Sequence, residues 1–260
     1  MVQERVGAFF HNTYAPGTEG ICIVCRGATG DDRLCGYCRN HQRQFRGLLA
    51  DRTILLTYAQ GYHPDGKHQS AHEVRAYKAH PPVPRCSQNL RLVIKAAVAL
   101  HQSCITRWLG ANWDAITFVP SAERPAQTHP LAQLAGDVQQ VTSNLPIFHL
   151  TPGPGSDSRR VLVDNRFAVP KDQRSMVNGR NVLIIDDTWT SGASAQGAAI
   201  AAKRAGANTV TTLCIARWLS WKWSPDRPVL QSLDNPYDPL VCPVDGLICR
   251  SAARFTWGHT

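Results

Sequence analysis

Apolar residues are distributed along this chain in two distinct ways. In four places they run together. Val182 to Ile185 is a continuous apolar run, which predicts a strand buried on both faces, because a half-exposed strand would alternate. Trp113 to Val119 and Thr209 to Ala216 read as two further strands, and Ile54 to Tyr62 as another. Between them the period becomes helical: Ser70 to Ala79, Gln88 to Leu109 with Leu92, Ala96, Ala99 and Leu100 on one side, and Leu131 to Thr142. Ala193 to Arg204 has the alanine content of a strong helix former, with Gly206 placed to stop it. Residues 146 to 160 are rich in Pro, Gly and Ser and predict a linker or a mobile flap, and residues 1 to 20 a poorly structured lead-in. Strands alternating with helices predict an α/β fold, a parallel sheet with helices on both faces.

The chemistry concentrates after Ile185. Asp186 and Asp187 follow the buried run at the sheet's carboxyl edge, where open α/β sheets place ligands. A polar loop from Thr188 to Gly192 then leads into the alanine-rich helix. A helix start carries unpaired N–H groups and the positive end of the dipole, so Thr190, Ser191, Gly192, Ala193 and Ser194 can wrap a phosphate. Two carboxylates would repel that phosphate. They suit vicinal hydroxyls of a sugar, or a divalent cation. Phosphate beside diol means a phosphorylated ribose.

The chain has 260 residues and a formal net charge of +9, with 22 Arg against 6 Lys. That bias suits bidentate contacts to phosphate and carboxylate, whether on a small phosphorylated substrate or on nucleic acid. There is no apolar run of about 18 residues to span a membrane. Met1 to Gly20 lacks the hydrophobic centre of a signal peptide, so the expected compartment is cytoplasmic. Nine cysteines in a reducing compartment then argue for metal or free thiols over disulfides.

Cys22, Cys25, Cys35 and Cys38 form two Cys-x-x-Cys pairs and predict a tetrahedral site with zinc as the default occupant; an iron–sulfur cluster or a redox pair is the alternative. Arg26, Arg33, Arg39, Arg43 and Arg46 surround it, as a solvated face or a contact to nucleic acid. His41 is expected to be a solvated side chain, and His68 and His72 surface histidines. Trp218, Trp221 and Trp223 interleave with Arg217 and Lys222, suiting domain-edge packing more than base stacking. Cys242 and Cys249, in Cys-x6-Cys spacing, match no familiar ligand pattern and read as buried thiols.

The Asp186 to Ser194 stretch resembles the 5-phosphoribosyl-1-pyrophosphate (PRPP) signature of type I phosphoribosyltransferases. With the four-cysteine module, the Tyr62 to Lys78 region, Pro120 to Arg124 and Arg160 to Phe167, residues 20 to 216 resemble the ComF-type phosphoribosyltransferase-like proteins. The chain departs from them in having RPAQTHPL where that family runs into Arg-Gly-Phe-Asn-Gln, and Trp189 and Ser191 where Val or Leu and Thr are usual. The resemblance implies residues 1–50 as lead-in and zinc module, 51–216 as the transferase-like domain and 217–260 as a Trp-rich extension. It further implies PRPP as substrate with Mg²⁺, an unidentified acceptor, structural zinc, and Asp186, Asp187 and Arg124 as the catalytic set, with Ser121 and Thr188 to Ser194 binding substrate. Arg159, Arg160 or Lys171 would supply charge from a closing flap. The alternative is a PRPP sensor or nucleic-acid-binding protein related to competence (DNA uptake) factors.

Overall fold

The computed structural model describes residues 2–121, 124–158 and 160–249. Its elements in chain order are α1 (Val2–Val6), β1 (His11–Asn12), α2 (Gly36–Gln44), β2 (Arg52–Gly61), α3 (Gln69–Ala76), α4 (Pro84–Leu109), β3 (Ala115–Phe118), α5 (Pro130–Val141), β4 (Thr151–Pro152), β5 (Phe167–Ala168), β6 (Asn181–Trp189), α6 (Ala193–Arg204), β7 (Thr209–Ser220) and α7 (Arg227–Gln231). Five strands form one sheet in the order β1-β2-β7-β6-β3. β2, β7, β6 and β3 are parallel and β1 is antiparallel at the edge. This is the α/β architecture expected from the apolar runs, a mostly parallel sheet with flanking helices.

The central strands are longer than the apolar runs suggested. β6 does not end at Ile185; its ladder with β7 continues through Asp186 opposite Cys214 to Trp189 opposite Arg217. The two carboxylates therefore sit inside the ladder and are buried. β7 likewise continues past Ala216 to Ser220 because β2, on its other side, pairs with it as far as Gly61. Main-chain pairing on both sides carries polar residues that hydropathy alone would leave outside a strand.

Other boundaries move for similar reasons. α4 starts at Pro84, whose fixed φ suits a first helical position. Its buried side includes Leu90, Val93, Ile94, Ala97, Val98, His101 and Ile105, whereas Ala99 is exposed and Leu92 half-buried; the apolar stripe is wider and rotated from the one expected. α6 spans the expected residues, and Gly206 closes it in the left-handed region with φ 92°.

Residues 1 to 20 are not a loose lead-in. β1 pairs with β2, Phe10 is fully buried, and Phe10 O accepts a 2.8 Å hydrogen bond from Tyr237 N. The Pro- and Gly-rich stretch 146–160 is anchored too. Ile147 bridges to Ile116, Phe148 and Leu150 enter the core, and β4 pairs with β5. Among its described residues, turns occupy 154–157.

An N-terminal segment that packs in this way predicts a measurable cost on truncating its anchor. Phe10→Ala should lower the unfolding free energy by about 3 kcal/mol, read from urea melts; a change within about 0.5 kcal/mol would mean that the segment does not contribute to the core.

Candidate functional site

The carboxyl ends of β3 and β6, with α3 and the start of α5, enclose a cavity of about 630 Å³. Asp186, Asp187, Thr188, Thr190 and Ser194 line one wall, Ser121, Arg124 and His129 another, and Lys78, Arg75, Tyr62, Arg160 and Trp218 the rest. Of the three flap cations expected from sequence, Arg160 is in this wall, Lys171 lies in an exposed turn between β5 and β6, and Arg159 falls outside the described residues.

The acid pair is electrostatically asymmetric. Asp187 accepts hydrogen bonds from Tyr77 Oη at 2.7 Å and Lys78 Nζ at 2.5 Å. Burial raises its carboxyl, but the charge and hydrogen bond of Lys78, with help from Tyr77, outweigh burial and hold it below the ordinary aspartate range. Among the described residues Asp186 has no hydrogen-bonded cation: burial and the adjacent Asp187 charge push it well above that range, and the Lys78 charge only partly offsets them. Asp187 is therefore the member of the pair disposed to ionise and Asp186 the member disposed to hold a proton. Asp186 Oδ1 also accepts from Asp187 N at 2.9 Å, which fixes its orientation.

Tyr77 and Lys78 were not singled out by sequence reasoning as partners of the acids. They are adjacent residues just past the end of α3 and more than a hundred positions from Asp187. The sequence offered only a lysine-bearing segment. Burial pushes the Tyr77 hydroxyl well up and the acids push it further, so it stays a donor.

The loop after β6 is shaped by two large side chains. Gly192 is left-handed with φ 82°, and a Cβ there would lie 2.2 Å from the Trp189 ring. Trp189, which stands where the family it resembles usually has Val or Leu, is 1% exposed and shares a buried cluster with Cys22, Cys25, Cys38 and Leu55. Arg217 is the second. Its guanidinium donates to Trp189 O at 3.1 Å, Thr190 O at 2.7 Å and Trp218 O at 2.6 Å. Burial disfavours its charge, but Cys25, Asp226, Cys35 and Cys38 more than restore it.

Trp189 and Arg217 thus join the loop to the four-cysteine knuckle. The Sγ atoms of Cys22, Cys25, Cys35 and Cys38 all lie within 4.8 Å of one another, a donor set that fits tetrahedral zinc. The first pair sits in a turn closed by an Ile21–Ala28 bridge, and Cys38 stands on α2. Two of the surrounding residues differ from expectation. Arg26 is buried and bonds to Ile23 O, and His41 is 5% exposed with burial lowering its pKa. The turn draws Arg26 inward and α2 draws His41 inward, because so small a module has little other core.

Ser191 is buried, and its Oγ accepts from Ala193 N at 3.4 Å; it lines a second cavity of about 1500 Å³ on the knuckle side. Gly192 and Ala193 contribute backbone at the helix start, Ala193 itself being buried. Thr188 Oγ1 is buried in the first cavity's wall with no hydrogen-bond partner among the described residues. Arg166, after the β4 hairpin turn, lies over Gly197 of α6 and donates to Ser194 Oγ at 3.2 Å. It brings a cation to the helix start that sequence spacing did not reveal.

The two cavities meet at Tyr62, Arg160, Thr190 and Trp218. Tyr62 and Trp218 form an edge-on pair at 6.3 Å, with Arg75 4.5 Å above the Trp218 ring and Lys222 4.9 Å above Tyr62. Trp221 instead packs inward and donates to Gln60 at 3.2 Å, while Trp223 is 59% exposed. His68, expected at the surface, is half-buried and caps α3. His129 caps α5 and stacks on Phe118; burial lowers its pKa.

No protein-family model matches the sequence, and no curated protein matches it. Solved structures that it resembles include an allosteric regulatory enzyme of purine biosynthesis (16% identity, TM-score 0.33, covering 48% of this chain and 26% of that one). Others are a phosphoribosylpyrophosphate synthetase from Mycobacterium smegmatis (18%, 0.30, 45% and 33%) and a phosphoribosyltransferase from Corynebacterium diphtheriae (19%, 0.30, 53% and 80%). The chain spans only about a quarter and a third of the first two. Superpositions this loose carry no functional weight, which leaves the cleft's own chemistry.

The asymmetric acid pair has a stability signature. A carboxyl whose folded pKa is raised contributes stability below its unfolded value and loses it as pH rises through the folded one. Asp186→Asn removes that loss and keeps an acceptor for Asp187 N–H. The variant should match wild type near pH 4 and be more stable near pH 8 in denaturant melts; the opposite trend would show that Asp186 is ionised.

The loop's packing has a second signature. Gly192→Ala should destabilise by about 1–3 kcal/mol, and Trp189→Leu in the same chain should recover part of that loss. Strict additivity of the two changes would deny the contact.

Proposed function

We propose that the 630 Å³ cleft binds PRPP and transfers its ribose-5-phosphate to a nitrogen nucleophile, releasing pyrophosphate. The observation that carries this reading is the buried Asp186–Asp187 pair beside the start of α6 in a cavity whose other charged lining residues are cations. A single acidic pair among Lys78, Arg75, Arg124 and Arg160 suits a ligand that is polyanionic at its ends and bears hydroxyls in its middle.

On this reading the Thr190–Ser194 backbone and the Thr190 and Ser194 hydroxyls take the 5-phosphate, with Arg166 adding charge at Ser194. Asp187 accepts from a ribose hydroxyl and protonated Asp186 can both donate and accept. Thr188 Oγ1, buried without a partner among the described residues, gains one from the substrate. Ser121, Arg124 and Lys78 face the diphosphate. The Lys78 side chain is 45% exposed, so it can turn from Asp187 to the diphosphate and leave Asp187 free for the sugar. Stabilising the departing charge is the electrostatic work such a transfer needs. Arg160 and the β4–β5 hairpin lie where a flap would exclude water from the reacting carbon.

Mg²⁺ fits the oxygen donors here, Asp187 and, once its proton is displaced, Asp186 being the residues that would hold it, and when bound it would offset diphosphate charge. The four thiolates of the knuckle fit structural zinc. The acceptor would enter by way of the second cavity, where Tyr62 and Trp218 offer flat faces suited to a base.

A second reading, the PRPP-sensing or nucleic-acid-binding protein of the ComF resemblance, is favoured by one group of residues. Tyr62 and Trp223 are 49% and 59% exposed beside Lys222, and Arg33, Arg43 and Arg46 are exposed on the knuckle. Single-strand binding on such a surface would weaken steeply with salt.

Calorimetry with PRPP and Mg²⁺ tests the first reading. Wild type should bind with a Kd of about micromolar, and Asp187→Asn should weaken binding at least about tenfold, the cost of losing a charge-assisted hydrogen bond. A panel of bases and amines should then elicit pyrophosphate release. No PRPP binding at any magnesium concentration would overturn the reading.

A further inference from the structure

The tail after α7 crosses the outer half of α4, and the two Cys-x6-Cys thiols meet other donors there. His101 and Cys104 are one turn apart on α4. His101, Cys104 and Cys242 each present a ligand atom, all within 4.8 Å of one another. Cys249 Sγ is 3.1 Å from Cys104 Sγ. Soft sulfur and imidazole donors gathered in one place suit zinc, which would draw its ligand atoms to roughly 3.4–3.8 Å apart, Cys249 joining the other three from beside Cys104.

Two further observations point to a metal. The first is the histidine. His101 is 1% exposed and its Nε2 lies 2.8 Å from Pro239 O. A carbonyl only accepts, so Nε2 carries the hydrogen and Nδ1 keeps its lone pair. That Nδ1 is buried with no hydrogen-bond partner among the described residues. A ring fixed through one nitrogen by a backbone carbonyl, with the other buried and keeping its lone pair, is the arrangement that orients metal-binding histidines.

The second is that the tail repeats the turn of the first knuckle. In the knuckle Ile21 bridges Ala28, Cys22 N donates to Gly27 O at 2.8 Å and Arg26 N to Cys22 O at 3.0 Å. In the tail Val241 bridges Ile248, Cys242 N donates to Leu247 O at 2.8 Å and Gly246 N to Cys242 O at 2.8 Å. The left-handed residue falls in the same place, Arg26 with φ 56° and Gly246 with φ 74°. The backbone is the same turn, 220 positions on. What differs is the ligand after it: Asp245 stands where Cys25 does, its Oδ1 accepting from Leu247 N, and Cys249 follows the bridge.

We propose that His101, Cys104, Cys242 and Cys249 form a second, structural zinc site that clamps the C-terminal tail onto α4. Two donors come from a helix and two from a turn, as in a zinc finger closed by secondary structure. Four protein ligands leave no open position, so the site is structural. Its sequence signal was unreadable because the four donors come from segments more than a hundred residues apart.

Metal content of the full chain decides the matter. Protein purified without added metal and freed of loosely bound ions should carry about two zinc ions per chain by plasma mass spectrometry. Cys242→Ser should remove one, Cys22→Ser the other, and the pair together both. Cobalt substitution supplies a readout on folded protein: wild type should show a three-sulfur, one-nitrogen spectrum superposed on a four-sulfur one, and Cys22→Ser the former alone. His101→Cys should keep the metal and convert the first spectrum to the second. One zinc per folded wild-type chain with a purely four-sulfur cobalt spectrum would overturn the proposal, as would a Cys104–Cys249 disulfide mapped in protein holding a single zinc.

Discussion

Two neighbouring carboxylates at the end of a strand buried on both faces cannot both be charged without a cation, and the cleft is organised around that constraint. Lys78 and Tyr77 come from the end of α3 to hold Asp187 ionised, and Asp186 is left to keep its proton. The position of α3, the pairing of β6 with β7 on one side and β3 on the other, and the polar cavity wall follow from supplying that partner. An unpartnered buried carboxylate would cost more than the strand pairing returns.

The knuckle is coupled to this centre through matter and charge. Trp189 fills the space between the four thiols and the loop, and Gly192 is the residue that lets the loop pass over the ring. Arg217 holds two loop carbonyls while sitting near Cys25 and Cys35. An all-thiolate zinc site carries net negative charge, and a buried guanidinium is a fitting counter-ion. The loop's shape therefore depends on a module that is separate in sequence and continuous with it in packing.

Much of this was legible beforehand. The buried run before Asp186, the alanine-rich helix and the Cys-x-x-Cys pairs each carry their meaning within about twenty-five residues, so local patterning sufficed for the α/β fold and for the four-cysteine cluster. Strand ends were less readable, because whether Asp186 to Trp189 stays in the sheet depends on how far β7 extends beside it. Lys78, Arg166 and Arg217 were invisible as contacts for the same reason: their partners lie 28 to 109 positions away. His41 and Arg26 were misjudged because polar residues in a small module are drawn inward for want of other core. The histidine and cysteines of α4 and the tail have no common motif at all.

Tyr62 and Arg160, which both line the first cavity and the second, are held at φ 56° and 61°, a region costly for side chains of their size. The strain falls at the seam between the two chambers. Relaxing either residue toward an ordinary backbone would reshape a wall that the two chambers share.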